Sequence, residues 1–173
     1  MGASLSMNEL IEYTDWERAK WHKRLSSAGD QALSLAVGPN GDGRFERVGD
    51  LVRHIFSAEK RYVERLQNQP LTDTAAIPAH EVEMLFEFGG KSRSCLKIFV
   101  AKFPTDDWDS PQDFMILNYK TTATPRKIIT HVLMHEIRHW AQIGTLLRLN
   151  GIVDDFHDFL FSPVMGGGFA KKA

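Results

Sequence analysis

Residues 124–151, TPRKIITHVLMHEIRHWAQIGTLLRLNG, have the features of one long helix with a marked beginning and end. Thr124 suits the N-cap position, Pro125 suits the first helical position, and Gly151 suits the position just after the last turn. This is the longest segment that the sequence predicts to be helical without a break. We therefore take it as the element around which the rest of the chain packs.

Three histidines follow one another along this helix at intervals of four residues: His131, His135 and His139. Residues four apart on an α-helix are rotated by only about 40°, so the three imidazoles form a slanting row on one face. His135 and His139 are close enough to bind one metal ion together. This pair is the strongest chemical signal in the sequence.

Apolar residues recur at helical spacing in three earlier segments as well. These predicted helices cover residues 7–27, 46–68 and 79–102. Gly89 and Gly90 indicate a kink in the third. Residues 103–123 form a long non-helical link, extended at 114–117 but without a sheet, and the phenylalanine-rich tail is expected to fold back. The sequence thus predicts an all-α four-helix bundle in one domain, residues 1–173, whose helix order the pattern leaves open.

The composition excludes several classes of function. The chain is 43% hydrophobic and 25% charged with a net charge of −1, and basic residues do not cluster, so we expect no nucleic-acid partner. Its one cysteine, Cys95, fits a reducing compartment and is expected in the core. We see no signal peptide and no apolar run of about 18 residues, so we expect a soluble cytoplasmic protein without a membrane partner.

A third candidate ligand lies on the second helix. His54 falls within the apolar face, where a neutral imidazole needs a partner because an unsatisfied buried polar group costs about 1–3 kcal/mol. Together with His135 and His139 it offers three neutral nitrogens, which suit Zn²⁺, Ni²⁺ or another first-row divalent ion. Three protein ligands with an open fourth position are typical of catalytic sites. His131 is interpreted as a supporting residue or reserve ligand.

Residues 135–139, HEIRH, also match the HExxH pattern of zinc peptidases, in which the glutamate is the general base. Such peptidases need a third ligand downstream, usually Glu or His, but no glutamate follows Glu136, and the late His157 lies among aspartates. A peptidase is therefore a minor alternative. We interpret Glu136 as a supporting or surface carboxylate with a possible general-base role, and Arg138 as a candidate for binding an anionic substrate at the pocket mouth.

The arrangement of these motifs resembles that of the DinB/YfiT-like family of metalloenzymes. The resemblance depends on residues 131–143, HVLMHEIRHWAQI, continuing into 146–151, LLRLNG, and on residues 50–59, DLVRHIFSAE. It implies a four-helix bundle with up-down-down-up order. It also implies a metal triad of one histidine from helix 2 and two from the late helix, here His54, His135 and His139.

The family commonly has Arg-Gly after the last ligand, whereas this chain has Trp140-Ala141, which we expect at the pocket wall. Characterised relatives are metal-dependent transferases and isomerases that use low-molecular-weight thiols such as mycothiol, bacillithiol or glutathione. Many are homodimers, and a tryptophan face formed by Trp16 and Trp21 would suit such an interface.

The resemblance implies a metal-dependent enzyme that uses an activated thiol or water on a small-molecule electrophile. A non-catalytic metal-binding or stress-associated bundle is the alternative.

Overall fold

A computed structural model describes residues 4–38, 44–116, 118–153 and 157–166. Its four long helices are α1 (Met7–Ala28), α2 (Val48–Leu66), α3 (Val82–Lys102) and α4 (Pro125–Leu149). All four predicted helices are present, with ends close to those expected, and the all-α fold class is confirmed. Within the described residues, none of these helices is long and apolar enough to cross a membrane.

The sequence signals at the helix ends form the expected caps. The Ser6 hydroxyl accepts a hydrogen bond from the Glu9 amide, and the Glu9 carboxylate accepts one from the Ser6 amide at 2.7 Å. At α4, the Thr124 hydroxyl accepts a bond from the amide of Lys127. Beyond α4, Gly151 has a φ of 77°, a conformation that glycine adopts without strain.

Contacts between α2 and α3 show that these helices run in the same direction. Phe56 lies against Gly89, and one turn later Glu59 accepts a hydrogen bond from Arg93. Residue numbers increase together along both helices, so the pair is parallel. The connection of residues 67–81 must therefore run from the C-terminal end of α2 back to the level of its N-terminal end, where α3 begins. This explains the length of the connection.

Helix α4 is parallel to α1 and antiparallel to α2. Two pairs join α1 to α4 in the same order: Arg18 with Glu136, and Trp21 with Trp140. Against α2 the order is reversed, because His54 meets His135 and Tyr62 meets His131. The helices thus have the up-down-down-up order that the family resemblance implied.

The connection before α4 contains a β-hairpin that the sequence did not predict. Strands β1 (Gln112–Ile116) and β2 (Tyr119–Ala123) pair antiparallel, with Gln112 opposite Ala123 and Ile116 opposite Tyr119. The expected extension at 114–116 is confirmed, and residue 117 lies outside the described residues. The expectation of no sheet was wrong because β2 carries its β-strand signal only in Tyr119 and two adjacent threonines, within a polar segment.

A buried charged layer divides the core into two apolar clusters. Each helix contributes one residue to this layer, namely Arg18, Glu59, Arg93 and Glu136. On each helix, the core residues before the layer residue belong to one apolar cluster and those after it belong to the other. The layer therefore crosses the middle of the bundle.

Gly89 allows α2 and α3 to approach closely beside this layer. A Cβ atom at Gly89 would lie 2.8 Å from the Phe56 ring, whereas one at Gly90 would meet open space. The carbonyl of Gly89 also accepts a hydrogen bond from Arg18 at 3.1 Å. Helix α3 continues through both glycines, and close packing gives a reason for Gly89, while the kink stays a prediction.

The C-terminal tail folds back over α1, as predicted. The Tyr13 hydroxyl donates to the carbonyl of His157, the ring of Phe159 packs on Tyr13, and the His157 ring stacks on Trp21 at 4.2 Å. Burial, together with the charges of nearby carboxylates, raises the pKa of Tyr13 to about 12. Phe156, one of the tail phenylalanines, lies outside the described residues.

The tryptophan face expected on α1 is not present. Trp21 is only 2% exposed and stacks on Trp140, which is also buried. Trp16 is half-buried and packs against Tyr13. Trp140, expected at the pocket wall, is instead a core residue, because it packs between α1 and α3 and donates its indole N–H to Glu136.

Candidate metal centre

Three histidine side chains from two helices converge on one point. His54 comes from α2, and His135 and His139 come from successive turns of α4. The Nε2 atom of His135 lies 3.0 Å from the Nε2 atom of His54 and 3.0 Å from that of His139. One potential ligand atom from each of the three lies within 4.8 Å of the other two.

This arrangement fits a single divalent ion. Two nitrogens that bind one ion at about 2.0–2.1 Å each lie roughly 2.8–3.4 Å apart when the bond angle is about 90–110°. An N–H···N hydrogen bond can also join two imidazole nitrogens at this distance, but the Nε2 atom of His135 carries at most one proton for its two neighbours, whereas one metal ion would satisfy all three nitrogens. An all-imidazole donor set suits Zn²⁺ and Ni²⁺ among common ions.

The hydrogen bond of His139 supports the same interpretation. Its Nδ1 donates to the Oε1 atom of Gln142 at 3.1 Å, one turn further along α4. A proton on Nδ1 leaves the Nε2 lone pair directed at the other two histidines. Metal-binding histidines usually donate their second N–H to an oxygen in this way. Gln142 thus orients a candidate ligand.

Burial keeps the central imidazole neutral. Desolvation is the largest cause that lowers the pKa of His135, and the adjacent His139 and His54 add to it, giving a pKa of about 3. Neutral imidazole is the form that binds metal, so ligand deprotonation costs little near neutral pH.

A cavity of about 620 Å³ opens beside the three histidines, and both His54 and His135 line it. Its walls include Met115 and Ile116 of the hairpin, so the 103–123 connection forms part of the pocket. His139, by contrast, is only 4% exposed. A metal at this centre would therefore lie at the cavity wall, with one side within reach of a small molecule.

His131 lies beside this group without joining it. Its side chain is exposed, its ring contacts Tyr62, and its ring centroid is 5.7 Å from that of His135. Within the described part of the chain, the cluster of possible ligands contains only the other three histidines. A supporting role suits this position better than that of reserve ligand. Arg138 is exposed nearby, and its role in binding substrate stays a prediction.

Glu136 belongs to the charged layer and is not a surface residue. It is 1% exposed, and its two oxygens accept hydrogen bonds from Arg18, Arg93 and Trp140. Burial favours its neutral form, but attraction from Arg18 and Arg93 outweighs burial and lowers its pKa. A general base must reach the reacting water, so this placement does not favour the peptidase interpretation.

Sequence reasoning did not single out the arginines of the cavity. Arg61 and Arg65 line it together with Tyr62, on the same helix as His54. They follow His54 by seven and eleven residues, a spacing that places all three on one helix face. That spacing was visible in the sequence, but charged residues on an amphipathic helix usually face solvent.

An antiparallel pairing of α2 with α4, three converging imidazoles and an adjoining cavity define a helical-bundle protein with a candidate metal centre. A comparison with family models gives a match to the DinB family over residues 1–165, nearly the whole chain, and the protein belongs to that family. A comparison with curated proteins gives no match.

Proposed function

We propose that this protein is a metal-dependent enzyme in which His54, His135 and His139 bind one divalent ion, zinc or nickel. The proposal depends chiefly on one observation, the convergence of three Nε2 atoms beside a cavity. A closed structural site would need a fourth protein ligand, and the described residues place no further His, Cys, Asp or Glu in the cluster.

The reaction class that this site supports best is attack on a small-molecule electrophile by an activated thiol or water. An ion held by three imidazoles lowers the pKa of a water or thiol in its remaining position, which gives a nucleophile near neutral pH. The protein contributes neutral ligands, the Gln142 contact that fixes the His139 tautomer, and a cavity large enough for a small substrate. Low-molecular-weight thiols are the cosubstrates that the family resemblance favours.

Metal binding is the first test. Protein purified without a polyhistidine tag is stripped with a chelator and titrated with Zn²⁺ and Ni²⁺, and the bound metal is counted by mass spectrometry. We expect one ion per chain, with a large loss of affinity in His54→Ala and His139→Ala. His131→Ala is the matched control and should keep the site. Equal affinity in His54→Ala and the unchanged protein would rule out the triad.

Activity is the second test. The metal-loaded protein is incubated with several thiols and small electrophiles, and thiol consumption is followed. Turnover that disappears in His54→Ala supports an enzyme. Metal binding without turnover in any combination would favour the alternative, a metal-binding or stress-associated bundle without catalysis.

Peptide hydrolysis that survives His54→Ala would instead favour the peptidase. A homodimer stays a prediction, which light scattering can test.

A further inference from the structure

Arginines are the commonest charged residues among those that line the cavity beside the three histidines. Four arginines line it: Arg44, Arg53, Arg61 and Arg65. Among the described lining residues there is one carboxylate, Asp50, and it pairs with Arg53 at 2.9 Å. No carboxylate of the described cavity wall pairs with Arg61 or Arg65.

Arg61 and Arg65 differ from Arg53, because the described residues give neither of them a carboxylate partner. In the described part of the chain neither lies within 4.0 Å of a carboxylate, and the buried Nε atom of Arg61 has no hydrogen-bond acceptor. Arg65 donates to the carbonyl of Arg61 at 3.3 Å, and its guanidinium lies over the Tyr62 ring. Burial and the charge of Arg61 lower the pKa of Arg65. Like charges four residues apart destabilise a helix, so helix stability does not explain why both residues are arginine.

Their position relative to His54 supplies a reason. At seven and eleven residues after His54, both arginines lie within about 20° of its direction on α2. The Cα level of Arg61 is about 10 Å beyond that of His54, and long side chains lean back toward the N-terminus of their helix. The side chains of Arg61 and Arg65 thus lean toward the level of His54, and all three residues line the same cavity.

A buried Nε without an acceptor does not by itself indicate a ligand. Arg24 on α1 has the same feature among the described residues, and it does not line this cavity. What distinguishes Arg61 and Arg65 is the combination of two like charges four residues apart, a shared cavity and alignment with the candidate metal ligands. Guanidinium groups bind carboxylate and phosphate through paired N–H donors, so an oxyanion is the group that this combination recognises.

We propose that the cavity binds small molecules carrying a carboxylate or phosphate group, with the oxyanion at Arg61 and Arg65 and the rest of the molecule extending toward His54 and His135. The proposal rests on the proposed function in one respect: a reaction of the bound molecule at the histidines requires the metal-dependent enzyme. The anion contacts themselves require no metal.

The test is binding of inorganic phosphate and of malonate, each titrated by calorimetry into metal-loaded and metal-stripped protein at low salt. We expect saturable binding to both forms. Arg61→Gln and Arg65→Gln should each weaken it by about 10-fold, because each removes a charge-assisted contact. Arg24→Gln is the matched control and should bind as the unchanged protein does. The stronger of the two probes identifies which oxyanion the cavity prefers.

Metal content and melting temperature are measured on every variant, so that loss of metal binding or of folding can be distinguished from loss of anion binding. Loss of anion binding in both cavity variants, with metal content unchanged, supports the proposal. Anion binding that needs the arginines but no metal supports it even if the protein proves not to bind metal. Binding that disappears with the metal but not with the arginines would overturn it, as would equal loss in Arg24→Gln or no saturable binding at all.

Discussion

Replacing Glu136 by glutamine should destabilise the protein strongly, because it removes one charge from the buried charged layer. The layer contains two arginines and two glutamates, so their charges balance. Glutamine preserves the side-chain shape but leaves Glu59 as the one fully buried carboxylate for Arg18 and Arg93, since Asp15, which pairs with Arg93 at 2.7 Å, is partly exposed. The layer would then carry a net buried charge of about +1 in an environment that solvates charge poorly.

The magnitude follows from the contacts of Glu136. Its oxygens accept from the Nε atom of Arg18 at 2.6 Å, from its Nη2 atom at 2.8 Å, and from the Nη2 atom of Arg93 at 2.7 Å. In Glu136→Gln, an amide NH₂ would face guanidinium donors. Removing one partner of a buried ion pair costs about 3–5 kcal/mol. At about 2–4 °C per kcal/mol for a domain of this size, the melting temperature should fall by roughly 6–20 °C.

The assay is thermal and urea unfolding of the metal-stripped protein, followed by circular dichroism. Glu83→Gln on α3 is the matched control, because this exposed carboxylate accepts hydrogen bonds from Ser26 and His22 at the surface. It should melt as the unchanged protein does. Equal melting temperatures for both variants would refute the stabilising role of the charged layer. Loss of a peptidase activity without loss of stability would show that Glu136 is a general base.

Three further predictions follow from single contacts. Gly89→Ala should lower the free energy of unfolding by about 1–3 kcal/mol through overpacking, whereas Gly90→Ala should raise it by up to about 1 kcal/mol. Urea titrations measure both changes, and the reverse order of stability would contradict the described packing. Gln142→Ala should weaken Zn²⁺ binding about 10-fold because His139 loses its orienting acceptor, and an unchanged calorimetric affinity would exclude that role. Between pH 10 and about 12 the folded protein keeps the Tyr13 proton that the unfolded chain loses, so the free energy of unfolding should fall as pH rises. Tyr13→Phe should lack this part of the fall, and identical pH profiles for the two proteins would contradict the raised pKa of Tyr13.

The helices and the histidine triad were predictable because their signals are local. Caps, glycines and apolar spacing lie within single segments, and His135 and His139 are one helical turn apart. His54 was recognised because an imidazole on an apolar face is unusual. The order of the helices, in contrast, came only from the family resemblance, because periodicity contains no information on which helices are neighbours.

The charged layer was not predictable, because its members are far apart in the sequence. Arg18, Glu59 and Arg93 each look like an ordinary charge on an amphipathic helix, and 41 residues separate the first two. Only packing shows that they meet. The surface position considered for Glu136 was wrong for a related reason, since its arginine partners lie on other helices that are distant in the sequence.

The charged layer and the candidate metal centre are linked through α4. Glu136 directly follows His135, so the two side chains point about 100° apart around the helix axis. Ion pairs from α1 and α3 fix the direction of Glu136, and this fixes the rotation of α4 about its axis. The same rotation aims His135 and His139 at His54. The glutamate of the HExxH pattern thus acts as an anchor in the core, and Glu136→Gln protein kept folded at low temperature should bind Zn²⁺ more weakly, by about 10-fold or more. Unchanged affinity would show that packing alone sets the histidine geometry.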